Sequence, residues 1–172
     1  MHQNLKKDRK AKTPSFFLKR EGIPFNQKLI NFIINYYKKN NEDIRICMHP
    51  SIKAKHHDMI ILQQRKNFYA PHKHLRKGET YHIIKGAMAC VLFSEKGKIK
   101  KICKLKKNNI FRTPINIFHT MLPLTKYVIY HECKVGPFLK INDSIFNKWS
   151  KKLTNDQIQI KTLKNKIFSL AK

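Results

Sequence analysis

Acidic residues are scarce in this chain of 172 residues, with 10 Asp and Glu against 37 Lys and Arg and a formal net charge of +27. A field of that sign attracts nucleic acid and anionic surfaces whatever the fold. The lysines are nevertheless spread from Lys6-Lys7 through Lys38-Lys39 and Lys106-Lys107 to Lys166. No zinc-finger, RNP or basic-zipper pattern accompanies them, so nucleic acid is expected as a non-specific partner only. Long apolar runs are missing too, which excludes a transmembrane helix. The charged start, Met1 to Lys12, lacks an apolar stretch behind it and does not read as a secretory signal. Cysteine pairs are absent: Cys47, Cys90, Cys103 and Cys133 form no C-x-x-C. That argues against a zinc–thiolate site and for reduced thiols in a cytoplasmic protein. Glycine is rare, and four of the five, Gly78, Gly86, Gly97 and Gly136, fall at the ends of apolar segments, where turns need them.

What is present reads as one domain with extensions. Residues 1–22 are basic and aperiodic and are expected to be a flexible arm. From Asn26 to about Lys39, Leu29, Ile30, Phe32, Ile33, Tyr36 and Tyr37 recur at helical spacing. This predicts one amphipathic helix, capped by Asn26, packed on the domain or on a second subunit in a homodimer. A short strand is expected at Arg45–His49. Further β-segments are expected at Met59–Gln64, Phe68–His74, Glu79–Ile84, Met88–Phe93, Ile99–Leu105, Ile110–Pro114 and Tyr127–Cys133. Short strands at this spacing predict a sandwich or barrel. After Phe138, Asn142-Asp143-Ser144 is read as the cap of a helix through Ile145, Phe146 and Trp149. A second helix is read from about Asn155 to Leu170, with Ile158, Leu163, Ile167 and Leu170 on its inner face.

The chemistry concentrates between Pro71 and Gly86. His72 and His74 stand two apart and would project side by side from a strand. Glu79, after a turn at Gly78, would return beside them. Two imidazoles and a carboxylate suit a divalent metal, and the donor set does not choose among Zn, Fe, Mn, Ni and Co. A fourth donor is expected from elsewhere, with His119 in Pro114-Ile115-Asn116-Ile117-Phe118-His119 as the best candidate. Tyr81 would share the inward face with Glu79. Glu132 and Tyr130 would share one face of the last strand, lining the pocket or lying outside it. His56 and His57, beside Asp58, are read as solvated or supporting residues rather than ligands.

The H-x-H, spacer, Glu, six residues, Gly pattern of 72–86 resembles the first cupin motif. Pro114 to His119 resembles the second, P-x-G-x-x-H, with Asn116 where the family has Gly. Three flanking pieces, Met48-His49-Pro50-Ser51, Tyr69-Ala70-Pro71-His72-Lys73-His74 and Glu132-Cys133-Lys134-Val135-Gly136-Pro137-Phe138, resemble the WbuC family of cupin-fold metalloproteins. The likeness spans roughly residues 26 to 141. It implies an all-β double-stranded β-helix, the cupin jelly roll, with a leading helix (residues 23–141) and a C-terminal helical extension (142–172). It implies one divalent metal on His72, His74, Glu79 and His119, with His49 facing the same site. His49, Tyr81 and Glu132 are then the candidates for contact with a small-molecule ligand. The family's association with O-antigen and other surface-polysaccharide gene clusters implies a carbohydrate or nucleotide-linked sugar. The expected activity is a metal-dependent, isomerase- or epimerase-like one. A pocket that binds a metabolite without turnover is the alternative.

Overall fold

The computed structural model describes residues 4–20, 22–139 and 143–171. Ten strands and three helices follow one another as β1 (Leu5–Asp8), β2 (Ser15–Leu18), α1 (Gln27–Asn40), β3 (Ile44–Cys47), β4 (His56–Gln64), β5 (Glu79–Lys85), β6 (Ala87–Phe93), β7 (Ile99–Lys106), β8 (Ile110–Arg112), β9 (Phe118–Pro123), β10 (Tyr127–Val135), α2 (Lys148–Lys152) and α3 (Gln157–Leu170). They form a seven-stranded sheet in the order β1-β2-β3-β4-β10-β5-β8 and a three-stranded sheet in the order β7-β6-β9. From β7 to β10 the chain changes sheet at every step, the winding of a double-stranded β-helix. Among the described residues no helix is long and apolar enough to cross a membrane.

Period-2 alternation decides what each face of the large sheet does. Ile44, Ile46, Ile60, Leu62 and Ile129 point outward and are covered by the apolar stripe of α1, including Leu29 and Ile33. The helix begins where the Asn26 side chain accepts from the backbone N–H groups of Lys28 and Leu29, and ends at Asn41 in the left-handed region. It thus packs on its own sheet. The opposite face, with Tyr81, Ile83, Val128 and Tyr130, meets Met88, Cys90, Leu92 and Met121 of the small sheet and forms the interior.

Four expectations are corrected. Residues 5–18 are not a flexible arm. Leu5, Phe16 and Leu18 are buried against α1, and β2 pairs in parallel with β3 through the α1 crossover. Basic residues masked this, because Lys6 and Lys7 lie on an edge strand and remain exposed. The expected strand Phe68–His74 shrinks to two isolated bridges, His72 to His119 and Lys73 to Ile145, since Pro71 has no N–H to give a ladder. The C-terminal helix cap also moves. Asn147 caps α2, Ile145 instead bridges to Lys73, and Asn142 lies outside the described residues. On α3 the buried face is Ile160, Leu163, Ile167 and Ala171, whereas Ile158 is 79% exposed. The strand β9 was not expected, because all six of its residues are buried. With the interior on one side and Trp149 and α3 on the other, no polar face is left to alternate.

Candidate metal centre and its cavity

The two sequence motifs meet at the His72–His119 bridge. His72 N–H donates to His119 O at 3.1 Å and His119 N–H to His72 O at 2.8 Å, so the imidazoles of a loop and of β9 are set side by side. His74 follows two residues on, its N-terminal neighbours held by that bridge, while His74 O accepts from Asn116 N–H. Asn116 itself has φ +59, a conformation Asn tolerates better than most residues. Gly78 starts the return. A Cβ there would sit 2.6 Å from Thr113 O, so only glycine lets β5 run against the loop that leads to His119. Glu79 opens β5, its N–H donating to Thr113 Oγ1 at 2.9 Å.

The donor atoms of His72, His74, Glu79 and His119 all lie within 4.8 Å of one another. Each imidazole is oriented by a backbone carbonyl at Nδ1: Ala70 O for His72 at 3.2 Å, Asp143 O for His74, and Ile117 O for His119 at 2.9 Å. A carbonyl oxygen only accepts, so Nδ1 carries the proton and Nε2 is left as a lone pair aimed at the cluster. Nε2 of His74 and of His119 then face Glu79 oxygens at 3.0 and 3.1 Å. Lone pair against carboxylate is repulsive unless a proton or a cation lies between. His74 Nε2 is close to Glu79 Oε1 by distance but makes no hydrogen bond by angle, and it is buried without a partner. This is the donor arrangement of a divalent cation site.

Two further groups complete the cluster, Lys134, which sequence reasoning missed, and Tyr81, which it placed on the inward face beside Glu79. Lys134 Nζ donates to Glu79 Oε1 at 2.6 Å and lies 3.0 Å from Glu132 Oε1. Tyr81 Oη donates to Glu79 Oε2 at 2.5 Å. Burial would raise the Glu79 carboxyl, but the Lys134 ammonium outweighs it and holds the group well below the ordinary carboxylate range. Burial likewise opposes the Lys134 charge, and its two carboxylates reverse that and raise it. Burial, followed by the neighbouring Glu79 charge, raises the Tyr81 phenol and keeps its proton. Burial, with His119 next, lowers His72 to about 4, so its Nε2 is a lone pair at neutral pH. The signal for Lys134 was available: it continues the Tyr130, Glu132 alternation along β10.

His72, Glu79, Tyr81, Tyr130, Glu132 and Lys134 share a cavity of about 220 Å³ inside the barrel with Arg45, Gln63 and Tyr69. Tyr81 thus lies on the inward face expected of it, and Tyr130 and Glu132, whose face the sequence left open, line the inside. A larger hollow of about 570 Å³ lies on the other side of His74, walled mainly by apolar Leu75, Val135, Pro137, Leu139 and Ile145. Of the four clustered residues His72 and Glu79 line the smaller cavity and His74 the larger hollow, where Asp143 O holds its Nδ1.

His49 is not in the site. Its Nδ1 accepts from Asp58 N–H at 3.1 Å, and its ring stacks on His57 at 4.2 Å and 7°. It lines a separate shallow concavity with Met48, Pro50 and His56, because β3 ends at Cys47 and Pro50 turns the chain away. His57 is buried in the stack, whereas His56 is exposed, as expected of a solvated residue. Asp58 on the outer face of β4 lies 3.3 Å from His56 Nε2 and 3.0 Å from His131 Nε2, with Cys133 opposite it on β10.

Burial, with the neighbouring His57, lowers His49 from 6.5 to about 4. The unfolded chain therefore takes up this proton first. The neutral pair stabilises the fold fully above about pH 6.5, and that contribution is lost as pH falls toward 4. We expect His49→Gln to flatten the loss of stability between pH 7 and pH 4.5 by about 1–3 kcal/mol, read by urea unfolding. An unchanged pH slope would exclude the stacked pair as its source.

A family model described as Domain of unknown function (DUF6016) matches residues 39–105. No curated protein matches the chain. Among solved structures it is similar to KdgF from Halomonas sp., with 15% identity over 54% of this chain and 77% of that one and a TM-score of 0.45. A cupin-2 domain containing protein from Shewanella frigidimarina gives 8% identity, 52% and 78% coverage and a TM-score of 0.43. An oxalate decarboxylase from Lactobacillus farciminis, solved as a formate complex, gives 17% identity, 61% and 32% coverage and a TM-score of 0.44.

Proposed function

We propose that this chain is a cupin-fold metalloprotein in which His72, His74, Glu79 and His119 hold one divalent ion at the wall of a cavity that takes a small, sugar-derived ligand. One observation carries the reading: three imidazoles are each fixed through Nδ1 to a backbone carbonyl, and their Nε2 lone pairs converge on one buried carboxylate. An ion bound there polarises a carbonyl or hydroxyl oxygen of the ligand. The chain's own groups set the surroundings. Lys134 keeps Glu79 ionised, and Tyr81 holds its second oxygen. Glu132 faces the same space. The sugar class rests on the resemblance to WbuC proteins and their polysaccharide gene clusters.

Binding without turnover is the second reading, favoured by a specific feature. Glu79 and Glu132 both engage Lys134, and Tyr81 donates to Glu79, so each candidate acid or base beside the histidines is already paired. The test is metal analysis of the freshly purified protein followed by thermal titration with a panel of sugars and sugar acids, with and without the metal. We expect about one ion per chain. A ligand at about a hundredfold its dissociation constant should stabilise by about 2.7 kcal/mol, and stripping the metal should remove that gain. Stabilisation that survives both metal removal and His119→Ala would rule the proposal out.

A further inference from the structure

We infer that the ligand of the inner cavity is a small acid, about the size of one monosaccharide, whose carboxylate is seated on Arg45 while its other oxygens face the histidine cluster. The inference rests on the metal-binding reading above for its second half only; the seat itself is a property of Arg45.

Arg45 stands on β3 between Ile44 and Ile46, which face α1, so alternation turns its side chain to the interior of the barrel. It is half-buried and lines the cavity. Its Nε donates to Ser15 Oγ at 3.0 Å, and its Nη1 lies 4.0 Å from Met59 Sδ, a weak acceptor. Among the described residues no carboxylate comes within ion-pair distance of the guanidinium. The other charged groups of the cavity engage one another, Lys134 bridging Glu79 and Glu132. Asp43, the nearest acid by sequence, is engaged by Tyr69 Oη at 2.7 Å and Gln64 N–H at 2.9 Å. A half-buried guanidinium at a cavity wall with most of its five donors free of protein partners is a seat for a planar oxyanion.

The charge count points the same way. The lining carries Arg45 and Lys134 against Glu79 and Glu132, which cancel. A divalent ion on the histidines leaves a surplus of two positive charges, at two separate places. A neutral polyol answers neither, whereas an acid with hydroxyl or carbonyl oxygens answers both. Size narrows the class. At about 30 Å³ per water, 220 Å³ holds about seven waters, room for one sugar ring. The N-terminal hairpin is part of this seat: Ser15 holds Arg45, and Thr13 lines the same space.

The experiment is calorimetric titration of the metal-loaded full chain with hexuronates and their neutral parent hexoses, on the wild type, Arg45→Gln and Arg45→Lys. We expect at least one hexuronate to bind about tenfold or more tighter than its parent. Arg45→Gln should weaken it about ten- to a hundredfold and leave the neutral sugar unchanged. Arg45→Lys, which keeps the charge but not the fork, should fall between. Unchanged metal content and melting temperature without ligand show that the variants fold. No binding by any acid, equal binding of acid and neutral sugar, or an acid preference that survives in Arg45→Gln each overturns the proposal. Failure of the metal reading is seen separately, as a wild type without stoichiometric metal whose acid binding still depends on Arg45.

Discussion

We expect His74→Ala to abolish stoichiometric metal binding: the dialysed variant should retain less than about a tenth of the ion held by the wild type, since losing a donor costs at least the 10–100-fold in affinity that removing a supporting group does. His74 carries the argument better than the other ligands because it is the one whose Nε2 is buried with no hydrogen-bond partner. Its side chain is 2% exposed, so solvent does not readily replace the lost donor. The other side of its ring is fixed by Asp143 O, so no rotamer change in the wild type relieves the Nε2 atom. Elemental analysis of dialysed wild type and variant reads the result. The unfolding midpoint of the two metal-free proteins separates ligand loss from misfolding. Equal metal in both would show that these four residues are a satisfied polar cluster and nothing more.

Lys134→Met destabilises the metal-free protein by about 3–5 kcal/mol, the cost of leaving buried charge without its partner. Both Glu79 and Glu132 are under 10% exposed, and Lys134 is the cation between them. Without it the two carboxylates either repel in a poorly solvated space or take up a proton. Added divalent metal should then stabilise the variant by more than it stabilises the wild type, because Glu79 regains a cation. Urea unfolding with and without metal measures both terms. Lys134→Arg, which keeps the charge, is expected to retain most of the stability. A Lys134→Met protein as stable as the wild type would mean that the triad contributes nothing net.

The four clustered residues were legible because the motif spacing encodes a local geometry. H-x-H places two rings on one side of an extended segment, and the Gly78 turn returns a carboxylate beside them. The fourth donor was legible only through the second motif, and the bridge that joins the two is a long-range pairing that no local period predicts. Alternation in Ile44-Arg45-Ile46 and in Tyr130-Glu132-Lys134 holds the information that Arg45 and Lys134 face inward. Reading it requires knowing which face is covered, and that depends on where α1 docks. His49 was misplaced for the converse reason. A histidine at a strand end takes its direction from the turn that follows, and Pro50 sends that turn away from the cavity. The N-terminal strands were hidden by charge: β1, with two lysines in four residues, and the basic residues around β2 look like a tail until Leu5, Phe16 and Leu18 find a helix to pack on.

The open borders of the two sheets give the excess of lysine a use that its scatter along the chain conceals. The large sheet ends on one side at β1, four residues with Lys6 and Lys7, and on the other at β8, three residues ending in Arg112. The small sheet ends at β7, which carries Lys100, Lys101, Lys104 and Lys106 within eight residues. A free strand edge is a template on which another chain can grow a fibril, and short, positively charged edges are how such growth is blocked. Two molecules approaching border to border would bring like charges together across a strand spacing of about 4.8 Å. The barrier is electrostatic and weakens once the screening length shrinks toward about 3 Å in molar salt. The part of the basic charge that sits on these borders thereby opposes cross-β stacking, with a strength set by the ionic strength around the molecule.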